Sequence, residues 1–168
     1  MNSLNLNSIF RFVVLILAQA IVFNHVNFMG SVNPYPYVLF ILLYPVKNDR
    51  TLFVFLSFML GLMVDLFSDS GGVHAAASVA MAFIRPPMLK FSFGTVYEYQ
   101  NIKFSNTDLS NRLVYFSALI IVHHFLMFFL EIFNVSDIIL ILQKTLFSSI
   151  FTIILCVLIS ILFSSKQR

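Results

Sequence analysis

The stretch IILILQKTLFSSIFTIILCVLISILF, residues 138–163, holds a single charged side chain, Lys144. At ~1.5 Å of rise per residue, a helix of this length crosses the ~30 Å hydrocarbon core of a bilayer with a few residues to spare. Working back toward the N-terminus, residues 113–133, 51–67 and 12–28 form apolar runs of comparable length. Two shorter runs, 34–46 and 72–84, lie between them. Pro34 and Pro36 open the first of these short runs and Pro45 helps close it, while Arg85-Pro86-Pro87 ends the second. Proline lacks an N–H donor, so it is cheap at the start of a helix and disruptive further in.

Composition agrees with a lipid-facing chain. Of 168 residues, 60% are hydrophobic and 10% are charged. The mean hydropathy is +0.94. A water-soluble domain carries roughly 25% charged residues, because its surface must stay wet. A soluble enzyme, a disordered tail and a disulfide-stapled secreted scaffold are therefore excluded. Cys156 is the only cysteine, so neither an internal disulfide nor a thiolate metal cage can form. The pI near 9.2 reads as a topology signal rather than as a nucleic-acid patch.

The fold class expected is an all-α membrane protein, a six-transmembrane-helix bundle forming a single integral membrane domain over residues 1–168. The basic residues decide the count. With six crossings, Arg11, Lys47, Arg50, Arg85, Lys90, Lys103, Arg112, Lys166 and Arg168 fall on one side. The opposite loops, 29–33, 68–71 and 134–137, hold no Lys or Arg. Omitting the second segment would split Arg11 from Lys47 and Arg50. The positive-inside rule then places both termini in the cytoplasm, with the longest polar connection, 88–112, as a cytoplasmic loop. Ala18-Gln19-Ala20 mimics a signal-peptidase site, but the apolar run before it is short and Ile21-Val22-Phe23 continues beyond, so the first helix is expected to remain uncleaved.

Several side chains stand out within these segments. Ser57, Gly61 and Asp65 recur every fourth residue in the third, and Gly72, Ala76 and Ala80 do so in the fourth. Small residues let helix backbones approach closely in lipid, where little hydrophobic drive exists. The two stripes are expected either to pack within the bundle or to receive a partner helix. Thr145, Ser149, Thr152, Cys156 and Ser160 share one face of the sixth segment, with the same two readings. Asp65, His74, Glu131 and Lys144 all lie toward the outer face and form a candidate polar cluster. Lys144 either snorkels to the headgroups or pairs inward with Asp65 or Glu131. His123 and His124 lie near mid-depth, ~100° apart on the helix, so one is expected to face the bundle and the other lipid or a partner. No metal and no cofactor are expected. Nucleotide-binding loops, HExxH pairs and serine elbows are absent from the sequence, which argues against an enzyme.

The order of these features resembles a known family. Arg11-Phe12 and Gln19 precede Asn33-Pro34-Tyr35 and Pro45. Gly61-Leu-Met-Val-Asp65-Leu66-Phe67 is followed by Gly72-Val-His74-Ala75-Ala76 and Arg85-Pro86, and then by His123-His124 and Glu131. Over essentially its full length the chain resembles the rod shape-determining protein MreD. The resemblance implies a non-enzymatic scaffold in the bacterial inner membrane, part of the elongation machinery that controls cell shape and peptidoglycan synthesis. Its implied partners are MreC, bound directly in the membrane, MreB filaments, and RodA with its penicillin-binding transpeptidase partner. The family is also similar in fold to the substrate-binding subunits of energy-coupling-factor transporters. That similarity supplies the alternative, an uptake subunit for a small vitamin-type molecule. Such subunits often carry Ala-x-x-x-Ala in the first helix, where this chain has only Ala18 and Ala20.

Overall fold

The computed structural model describes residues 6–26, 32–46, 49–94, 104 and 107–162. Six α-helices account for most of them: α1 (Leu6–Ile21), α2 (Leu39–Leu43), α3 (Arg50–Ser68), α4 (Val73–Phe93), α5 (Leu109–Ile132) and α6 (Ile138–Leu162). Among the described residues, four spans are long and apolar enough to cross a membrane, namely Ser8–His25, Arg50–Ser68, Leu109–Ile132 and Val135–Leu162. Large apolar side chains such as Phe10, Phe55, Leu66, Phe91 and Ile139 project from the outside of the bundle. A surface of this kind belongs in lipid.

Each long helix packs on its sequence neighbour, α3 on α4, α4 on α5 and α5 on α6. The α3–α4 hairpin shows how the sequence makes this happen. Asp49 caps α3 by accepting from Leu52 N at 2.8 Å. The helix ends at Asp69, in the left-handed region at φ 51°, and Gly71 and Gly72 continue at φ 67° and 97°. Glycine adopts this conformation without strain, so the chain reverses within four residues. The carboxylate of Asp65 then accepts from His74 N at 3.0 Å and from Ala75 N at 2.9 Å, and from Ser70 Oγ at 2.6 Å. Two N–H groups that every helix leaves orphaned in its first turn are thus satisfied from the preceding helix. One turn below, Gly61 abuts the α4 backbone. A Cβ built there would lie 2.5 Å from Ala75 Cα and from His74 O.

The fourth helix departs from expectation. It does not stop at Arg85 but runs through Pro86 and Pro87 to Phe93, and Gly94 at φ 66° ends it. The connection to α5 is correspondingly shorter than 88–112. Proline in a helix interior costs ~3 kcal/mol in water, but a bundle in lipid tolerates it because packed neighbours hold the segment in place. Here Arg85 and Leu89, on either side of the pair, are both buried in the core. Of the aromatic residues in that connection, Phe104 stacks on Tyr115 and meets Phe93, while Tyr97 and Tyr99 lie outside the described residues.

The second segment is helical only over a 3-10 turn, Pro36–Val38, and the short α2. Residues 37–42 are all buried, each exposed by no more than 2%. It runs antiparallel to α1, since Gln19 Nε2 donates to Pro34 O and Arg11 Nη1 donates to Leu43 O, each at 3.4 Å. Its non-helical flanks are served by side chains. Thr152 Oγ1 accepts from Tyr35 N at 3.0 Å, and Tyr115 OH donates to Leu42 O at 3.1 Å. Arg85 donates to the carbonyls of Leu42 and Tyr44. Irregular backbone survives at membrane depth only when protein satisfies it in this way.

Candidate functional site

The charged residues of the bundle gather at two ends. One end gathers Arg11, Arg50, Arg85, Lys90 and Arg112 around the close of the second segment. The other carries Asp65, Asp69, Glu131, Asp137 and Lys144. Between them, nearer the acidic end, lies a buried cluster centred on Tyr37. With no Trp in the chain, Tyr35, Tyr37, Tyr44, Tyr97, Tyr99 and Tyr115 are the residues expected to supply an interfacial belt, but Tyr37, Tyr44 and Tyr115 are buried inside the bundle.

The Tyr37 hydroxyl lies 2.9 Å from His74 Nδ1 and 2.8 Å from His123 Nε2. A phenol has one proton to donate. At most one imidazole therefore accepts from Tyr37 and at least one donates to it, so the two rings cannot both be acceptors. The neighbouring chain of bonds starts from a fixed proton. His124 Nδ1 lies 2.8 Å from Ile120 O, which can only accept, so that nitrogen carries the proton. With the ring neutral, Nε2 is an acceptor, and Thr152 Oγ1, 3.2 Å away, donates to it while accepting from Tyr35 N. Four segments are joined this way: the second segment through Tyr35 and Tyr37, α4 through His74, α5 through both histidines, and α6 through Thr152.

Rings fill the space around these bonds. Tyr35 meets His74, His124 and Phe128 at centroid separations of 5.4, 5.3 and 6.3 Å. Tyr37 lies 5.7 Å from His74 and 5.6 Å from His123. Both His123 and His124 are fully buried, with ring centroids 5.3 Å apart. The expectation that one would face lipid or a partner is corrected. Because α5 packs between α4 and α6, a sector wider than 100° points inward and accommodates both. Among the described residues, no three His, Cys, Asp or Glu side chains converge to hold a metal ion.

The four-residue polar cluster does not assemble as a unit. Asp65 and His74 come together through the α4 main chain, whereas Glu131 and Lys144 meet elsewhere, Nζ to Oε1 at 3.4 Å. The pair is partly solvent-facing, its side chains 44% and 25% exposed, and Lys144 Nζ also sits 5.5 Å from the Phe128 ring centroid. Lys144 makes no ion pair with Asp65, whose oxygens are occupied by α4 and Ser70.

Of the small-residue stripes, Ser57, Gly61 and Asp65 are all buried, with Gly61 and Asp65 directly against the α4 main chain. The α4 stripe is shifted. Gly72 and Ala80 are only half-buried and Ala76 is exposed, while Ala75, Ala77 and Ser78 form the inward face. On α6, Thr145, Ser149, Thr152, Cys156 and Ser160 are all buried, joined by Ser148. At the basic end, Arg85 is 4% exposed. Its Nε donates to Tyr115 OH at 2.8 Å, and its guanidinium lies 5.0 Å from the Phe53 ring centroid.

No family model, curated protein or solved structure significantly matches this chain.

Proposed function

We propose that this chain is a non-enzymatic scaffold of the bacterial inner membrane that binds MreC and acts within the rod elongation machinery, as its resemblance to MreD implies. MreB filaments and RodA with its transpeptidase partner are then the wider assembly. The observation that carries this reading over the uptake alternative is the close ring packing inside the bundle. In the half of the bundle near Asp65, Tyr35, Tyr37, His74, His123, His124 and Phe128 pack ring against ring, where an uptake subunit would need an open pocket. A small-molecule site is a cleft of roughly 300–1,000 Å³. Polar groups here instead tie the second segment to α4, α5 and α6, which produces a rigid body suited to holding a partner helix.

The topology belonging to this reading has six crossings, with the basic end and both termini in the cytoplasm. The second segment crosses as extended chain plus a short helix, which covers more distance per residue than helix alone. The basic end supports that orientation by the positive-inside rule. Depletion in a rod-shaped host tests the function: cells should lose their rod shape and round up. Rods that keep their shape, and stop growing only when a vitamin is scarce, would favour the uptake subunit.

A further inference from the structure

At the basic end, two recesses share one residue, Arg50. A cavity of about 120 Å³ is lined by Pro45, Val46, Arg50, Phe53, Arg85, Pro86 and Leu89. That is several times the ~10–15 Å³ that admits one water molecule, and so has room for a phosphate group. A groove of about 490 Å³ lies on the other side of Arg50, along the outside of α3 and α4, lined also by Thr51, Val54, Phe55, Phe58, Val79 and Phe83.

The chemistry of the two recesses is complementary. Among the described residues, no carboxylate lies within ion-pair distance of Arg50 or Arg85. Arg85 is buried, and its Nε and Nη2 are engaged by Tyr115 OH and by two carbonyls, all neutral. A buried guanidinium without a counter-anion is electrostatically unfinished. Arg50 rests on Phe83, 5.7 Å from its ring centroid, a stacking that leaves its N–H edge available. Past Thr51 the groove is walled by aliphatic and aromatic side chains, and it follows α3 from Arg50 to Phe58, a rise of ~12 Å. An anion held at the arginines and an alkyl chain laid along that wall describe a single molecule.

We infer that the Arg50–Arg85 cavity and the α3–α4 groove together bind one anionic phospholipid, its phosphate between the two guanidiniums and an acyl chain against Phe55, Phe58, Val79 and Phe83. Basic pockets between helices at the cytoplasmic side are known to take acidic headgroups. Such a lipid would neutralise Arg85 and cover the α3–α4 seam.

Native mass spectrometry of the full-length protein, purified in a mild detergent, tests this. Phosphatidylglycerol is titrated against phosphatidylcholine with the same acyl chains, with inorganic phosphate as competitor. Wild-type protein should retain phosphatidylglycerol preferentially, and millimolar phosphate should displace it only weakly. Arg50→Gln, at the surface of α3 and outside the core hydrogen bonds, should lower that preference about fivefold, the attraction contributed by one basic residue. Val79→Phe, which fills the groove and leaves both arginines in place, should weaken retention of both lipids. Equal retention of the two lipids by wild type would overturn the inference. So would an unchanged preference in Arg50→Gln, or full displacement by inorganic phosphate, which would mark a simple anion site.

Discussion

Replacing Gly61 by alanine puts a methyl group where the α4 backbone already sits. That carbon would lie 2.5 Å from Ala75 Cα and from His74 O, and 2.6 Å from Ala75 N. Carbon neighbours rest ~3.5–4.0 Å apart, so α3 and α4 must separate by about 1 Å. All three clashing atoms are main chain, and no rotamer change relieves them. The separation also reaches Asp65, one turn along the same face. Its bonds to His74 N and Ala75 N, now 3.0 and 2.9 Å, would stretch toward ~4 Å, beyond useful hydrogen-bond range. Overpacking costs ~1–3 kcal/mol and loss of a helix cap ~0.5–2 kcal/mol, which together give about 2–4 kcal/mol. Reversible unfolding by SDS titration in mixed micelles measures this directly. Ala76→Leu is the matched control, because Ala76 points outward, and it should stay within ~0.5 kcal/mol of wild type. A Gly61→Ala protein as stable as wild type, or an Ala76→Leu protein equally damaged, would refute the proposed close approach.

Tyr37→Phe keeps the ring but strands His74 Nδ1 and His123 Nε2, and should cost ~2–4 kcal/mol in the same titration. An effect below ~0.5 kcal/mol would mean the hydroxyl bridge contributes little to the fold. Asp65→Asn retains one acceptor oxygen where two are used, so it should destabilise by ~1–2 kcal/mol, and Asp65→Ala by more. In a double-mutant cycle, Lys144→Met with Glu131→Gln should show coupling of no more than ~1 kcal/mol, as expected of a partly exposed pair, and Lys144→Met with Asp65→Asn should be additive. Strong coupling to Asp65 would contradict the arrangement described.

The long apolar helices were legible because length and hydropathy are local properties of the chain. The end of α4 was not. The rule that proline stops a helix is calibrated on segments free to leave the helical state, and Arg85 and Leu89 hold this one in its core on both sides of the Pro86-Pro87 pair. The Gly61-x-x-x-Asp65 spacing was visible, but its use as a backbone contact and a cap for the next helix emerges only in the folded hairpin. On α4, the run Ala75-Ala76-Ala77-Ser78 is small on every side, so spacing alone cannot choose the packed face. Tyr37 reads as an interfacial tyrosine, not a buried one, because it lies in a segment with no helical period to point it inward. One signal was available. A tyrosine in a run too short to cross as a helix, bracketed by prolines, must be buried in protein if the run enters the membrane at all. The two histidines were assigned opposite environments by helix geometry, which says nothing about how many neighbours surround α5.

The central claim is that the chain holds MreC in the membrane, and co-purification from detergent-solubilised membranes tests it most directly. The eluate should be analysed for both proteins and small molecules. The account predicts stoichiometric recovery of an MreC whose membrane helix is needed for retention, with no vitamin-type ligand present. Recovery of energy-coupling ATPases together with a bound vitamin, and no MreC, would contradict it.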